Sequence, residues 1–103
     1  MRKKITVVTM GQSPVDPQTH DVYRMLAQAF DVELRGILDG MSEAETETLA
    51  PEGGELFIVT SLRTGREVRL AERNAIRLVN ERLLEAEQSG SAAALILCTG
   101  HFD

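Results

Sequence analysis

The chain has 103 residues, 43% hydrophobic and 26% charged, which is single-domain length and ordinary globular composition rather than that of a disordered chain. Its formal net charge of -5 and dispersed Lys and Arg argue against phosphate neutralisation, and so against nucleic acid as a partner. One cysteine excludes an internal disulfide and suits a reducing compartment; no segment has the ~20 apolar residues of a membrane span, and the opening apolar run is too short for a signal peptide. The expected setting is cytoplasmic, with no membrane contact.

Residues 5–10, ITVVTM, form a β-branched run bounded by Gly11 and Pro14. A continuous apolar run of this length predicts a strand covered on both faces, central in a parallel sheet. After the loop GQSPVDP, apolar residues at Val22, Met25, Leu26, Ala29 and Phe30 follow helical spacing and predict a helix over 18–30, with Asp16 and Pro17 at its start and His20 on its first turn. VELRGIL, 32–38, predicts a second strand that Gly36 weakens, and the unit implies a right-handed crossover. Ser42 and Glu45 have capping-box spacing ahead of a short acidic helix that stops before Pro51.

ELFIVTSL and REVRL, joined across Arg63, Thr64 and Gly65, predict a β-hairpin inserted at about 55–70. Arg63, Arg66, Arg69 and Arg73 are read as a solvated strand face running into a helix start. A helix is expected over 71–89, with Ile76, Val79, Leu83 and Ala86 on its apolar face and Gly90 just beyond its end. AALILC, 93–98, is the last strand. The architecture is therefore α/β, a mainly parallel sheet with helices on both faces, a flavodoxin-like lobe carrying an inserted hairpin.

Pairing 5–10 with both 32–38 and 94–98 creates a switch point, and ligands bind outside the carboxyl ends of such strands. This puts Gly11, Gln12 and Ser13 beside Cys98, Thr99 and Gly100. Gly100 would let backbone approach a ligand and Thr99 would offer a hydroxyl. The plain alternative makes Cys98 a small buried hydrophobe, since a reactive thiol needs a lowered pKa. His101 could serve Cys98 as a base, or be solvated. The spacing of Cys98, His101, Asp103 and His20 matches no standard zinc set, so no metal is expected. No phosphate-binding glycine motif occurs, so no nucleotide or other cofactor is called for.

TMGQSP, LRGILDGMSEAETETLAPEGGELFIVTSLRTGREV and LILCTGHF, in this order, resemble the amino-terminal half of the AroM family. The likeness spans nearly the whole chain. It implies the first of two similar α/β lobes related to the aspartate/glutamate racemase superfamily, in which one cysteine from each lobe exchanges a proton beside a carboxylate. By that resemblance Cys98 is the acid/base, Thr99 and Gly100 help hold a small carboxylate, and Gln12 and Ser13 face the same cleft. Val15 stands where the family pattern usually has a basic residue, which removes a cation from that loop. The missing lobe implies self-association through uncovered apolar surface, and an isolated chain without turnover. The competing function is a non-catalytic module that binds a small anion or regulates, with the cysteine structural.

Overall fold

The computed structural model describes residues 2–97 and the short strand at 101–102. In chain order these form β1 (Lys4–Thr9), a single 3-10 turn (Pro17–Thr19), α1 (Asp21–Leu26), β2 (Asp31–Gly36), α2 (Glu43–Glu47), β3 (Phe57–Ser61), β4 (Glu67–Ala71), α3 (Glu72–Gln88), β5 (Ala93–Leu97) and β6 (His101–Phe102). The fold is α/β, as the pattern of elements predicts.

β1 lies between β2 and β5, and both pairings are parallel. The alternation of a strand sends Val7 and Val8 to opposite faces, yet both are wholly buried, so β1 is covered on each side. Val8 joins the core with Met10, Ile37, Leu38, Ile58 and Leu70, and with Ala75 and Leu78 from α3. Burying the side chains of Val8, Ile37, Leu38, Ile58 and Leu70 contributes roughly 1.5–3 kcal/mol each. α1 packs beside β2.

The hairpin strands β3 and β4 pair antiparallel, and β3 also pairs with β6, so among the described residues this is a separate sheet of order β4-β3-β6. Gly65 supplies the positive φ, 88°, that the hairpin turn needs. Core contacts of Ile58 and Leu70 dock the hairpin against the α3 side of β1.

Several boundaries move. The helix expected over 18–30 shrinks to α1, because Asp16 caps the preceding 3-10 turn and the His20 side chain accepts from Tyr23 N–H as the cap of α1 itself. Two residues of its apolar stripe, Met25 and Ala29, are exposed and Val22, Leu26 and Phe30 are only half-buried, so the stripe gains little burial to hold a longer helix together. β2 stops at Gly36, and Ile37 and Leu38 enter the core from a turn instead. α3 runs as expected, with Val79 and Leu83 packed against the core and Ala86 buried, but its buried face is rotated to take in Asn74, Ala75 and Leu78 as well, while Ile76 is exposed. Asn74 explains the rotation, since its Nδ2 donates to Leu49 C=O at 3.1 Å in a buried setting that an exposed position could not provide. The Ser42–Glu45 capping box forms with both reciprocal bonds.

Candidate functional site at the carboxyl edge of the parallel sheet

The carboxyl ends of β1, β2 and β5 share one edge: Thr9 pairs with Gly36 on one side and with Leu97 on the other. Cys98, the next residue after Leu97 in the chain, lies outside the described residues, as do Thr99 and Gly100. The expected place of Cys98 therefore stands on the strand that leads to it. Thr9 Oγ1, at the same edge, is buried without a hydrogen-bond partner among the described residues.

Beyond Thr9 the chain enters the loop Gly11–Ser13, held from three directions. Leu38 N–H donates to Gly11 C=O at 3.0 Å. Ser13 donates twice to Asp39, from N–H to Oδ1 at 2.8 Å and from Oγ to Oδ2 at 2.6 Å. Asp39 Oδ2 also accepts from Gly36 N–H at 2.8 Å. From the hairpin turn, Arg63 N–H donates to Gln12 Oε1 at 2.8 Å and Arg63 Nε donates to Ser13 C=O at 2.5 Å.

Two glycines make room for this convergence. A Cβ on Gly36 would stand 2.5 Å from both Gly11 O and Ser13 N, and one on Gly11 would stand 2.6 Å from Thr60 Oγ1 and 3.2 Å from Ser61 O. The glycine that weakens the sequence pattern of β2 is thus the position where another backbone crosses it.

Of the residues expected to face a ligand, Gly11 and Ser13 are buried and Gln12 is half-buried. Ser13 spends its N–H and its hydroxyl on Asp39 and acts as a strut. Gln12 gives its oxygen to Arg63, and among the described residues its side-chain NH2 remains as a donor. Asp39 and Arg63 were not singled out by sequence. Asp39 reads there as a turn residue and Arg63 as one of four solvated arginines. The other three do behave as surface residues: Arg66 bridges Glu43 and Glu47, Arg69 lies over the Phe57 ring at 5.3 Å, and Arg73 pairs with Glu55. Arg63 differs because it sits in the turn, where, among the described residues, the one acidic side chain in reach is already bonded by Ser13 and Gly36.

On the α3 side of this edge, Met10, Ile58, Ala75, Ile76, Val79 and Ile96 line an apolar cleft of about 240 Å3, joined by Glu72 and Asn80. A larger cleft of about 460 Å3 along β2 has Lys4, Asp31 and Glu33 on its walls and reaches Ser13 and Pro14 of the loop. Neither favours an anion: the first has a carboxylate and no cation, and in the second two carboxylates outnumber one lysine. Among the described residues no three His, Cys, Asp or Glu side chains converge as a metal site would require. No helix there is long and apolar enough to cross a membrane.

The convergence just described joins TMGQSP, LRGILDG and SLRTG, and a family model described as "AroM protein" matches residues 5–103. The chain belongs to the AroM family. No curated protein and no solved structure matches it. Two of the three segments that carry the AroM likeness, the first and both ends of the long middle one, thus meet around Asp39. In this AroM chain they form the scaffold that fixes the loop after β1.

Proposed function

We propose that this lobe binds a small carboxylate at the carboxyl edge of its parallel sheet, and that Cys98 acts there as an acid/base of racemase or isomerase type. The observation that carries the reading is the register of Thr9 with Leu97, which brings the strand leading to Cys98 alongside the strand leading to Gly11–Ser13. A switch point of this kind is where open parallel sheets bind ligands. The Thr9 hydroxyl at the same edge, without a partner among the described residues, adds a polar group of the sort that ligand sites retain.

The reaction would need no cofactor. The Cys98 thiolate removes the proton on the carbon next to the carboxylate, the electron pair passes into the carboxylate as an enediolate, and an acid on the opposite face returns a proton to carbon. Cys98 is the chain's only cysteine, so a second thiol would come from outside these 103 residues. The chain alone is then inactive, because one thiol serves one face.

Binding without chemistry is the second reading. It is favoured by the fact that the side chains tied together at this edge, Ser13, Asp39 and Arg63, hold one another in place and include no free base. The rate of Cys98 alkylation by iodoacetamide, followed against pH, separates the two. The catalytic reading expects an apparent pKa below the free-cysteine value of about 8.5. A value at or above it, or a thiol that resists labelling in the folded protein, leaves only the binding reading.

A further inference from the structure

We infer that Arg63 is the carboxylate anchor of this edge, its guanidinium held in place by Ser13 and Asp39 and offering its remaining N–H donors to the anion. The inference rests on the reading of the edge as a small-carboxylate site, and adds a residue that the motif after β1 lacks, since Val15 is apolar and 85% exposed.

A guanidinium has five N–H donors in a fixed fork. In Arg63, Nε is committed to Ser13 C=O at 2.5 Å, and Nη2 lies at the limit of bonding, 3.4 Å from Ser13 Oγ and 3.5 Å from Asp39 Oδ1. Nη1 has no acceptor among the described residues, and the side chain is 43% exposed. The weakness of the Asp39 contact has a cause. That carboxylate already accepts three bonds of 2.6 to 2.8 Å from Ser13 and Gly36, so little of its accepting capacity is left for Arg63. The arginine is therefore oriented without being consumed, which lowers the entropy lost when it grips a ligand.

The contrast with other arginines sharpens this. Arg66 and Arg73 make contacts of 2.6 to 2.8 Å with carboxylates that have few competing donors, and Arg35 is bonded to both Glu33 and Glu85. In a chain of net charge -5, an anion arriving at the carboxyl edge needs one cation that is not already spent. Arg63 is the cation tied to the loop there, with the side-chain NH2 of Gln12 beside it through the bond from Arg63 N–H to Gln12 Oε1. A guanidinium fork with an adjacent amide donor suits a planar carboxylate.

Titration of 15N-labelled protein with sodium succinate, against sodium chloride at matched ionic strength, tests the anchor. The Arg63 Nε–H signal and the Gln12 and Ser13 amides should move saturably with succinate only. R63Q should weaken that response about tenfold or more, the scale of losing a charged hydrogen-bonding pair, and C98S should keep it. If the native chain responds to chloride as it does to succinate, the carboxylate-site reading falls and the anchor with it. If the native chain responds to succinate and R63Q responds equally, the site stands and the anchor is wrong. Should R63Q lose its dispersed spectrum, R63K decides: it keeps the charge but loses the fork, so several-fold weaker binding supports the anchor and unchanged affinity overturns it.

Discussion

Ser13 and Asp39 are joined twice, by a backbone N–H to Oδ1 at 2.8 Å and by a hydroxyl to Oδ2 at 2.6 Å, and this double bond of carboxylate to loop fixes the end of β1 against the turn after β2. Both residues sit in partly buried surroundings, and Gly36 N–H depends on the same carboxylate. Asp39→Ala leaves three donors without their acceptor. Urea denaturation should show a loss of about 2–4 kcal/mol, the range for stranding donors bonded to a charged group. Asp39→Asn should recover little, because its NH2 would face one of the same N–H donors. A loss under about 0.5 kcal/mol, the size of an ordinary surface change, would mean that water replaces the carboxylate.

Gly36→Ala is the sharper packing test. Its Cβ would meet two backbone atoms, Gly11 O and Ser13 N, each at 2.5 Å, and backbone cannot rotate aside as a side chain can. The expected result is a loss of about 3 kcal/mol or more, or no folded protein, as overpacking against a fixed neighbour gives. Gly53→Ala is the matched control: nothing lies within 4 Å of its Cβ, so its stability should stay within about 0.5 kcal/mol of the native chain.

The Glu55–Arg73 pair at the start of α3 sets a local pH dependence. Hydrogen bonds from Arg73 and then from Glu52 N–H hold the Glu55 carboxyl below the usual carboxylate range, and the same pairing raises Arg73. A carboxylate with a lowered folded pKa adds stability above its unfolded value, about 4.3, and loses it as pH falls through the folded value. Carboxyl NMR titration should therefore give Glu55 a midpoint below that of an ordinary glutamate, and R73Q should move it up. An unchanged midpoint in R73Q would assign the shift to Glu52 N–H alone. Arg73 is exposed and Glu55 only half-buried, so solvent screens the pair and the effect on global stability should be small.

The parts of this fold that depend on periodicity and turn chemistry were legible in the sequence. ITVVTM is apolar without alternation and is buried on both faces; Gly65 marks the hairpin; Ser42 and Glu45 form their box. The length of α1 was not legible, because apolar spacing says nothing about whether a face is covered, and Met25 at 62% exposure is not covered. The rotation of α3 was hidden for a related reason: a buried Asn74 is indistinguishable from a solvated one until Leu49 C=O is known to lie opposite. At the site, the sequence pointed to the loop after β1 through strand order, but Asp39 and Arg63 reach it only through tertiary approach. The signal for that approach was Gly36, whose missing Cβ marks where Gly11 and Ser13 pass.

The most direct measurement exploits the single thiol. A nitroxide spin label on Cys98 broadens amide signals according to distance, and the two ends of β1, six residues long, are separated by roughly 17 Å at about 3.3 Å per residue. With Cys98 at the carboxyl edge, the amides of Gly11, Gln12 and Arg63 should broaden strongly, and far more than those of Lys4, Asp31 and Ala92 at the opposite end. Broadening of Lys4 and Ala92 with sharp Gly11 and Gln12 signals would contradict the site.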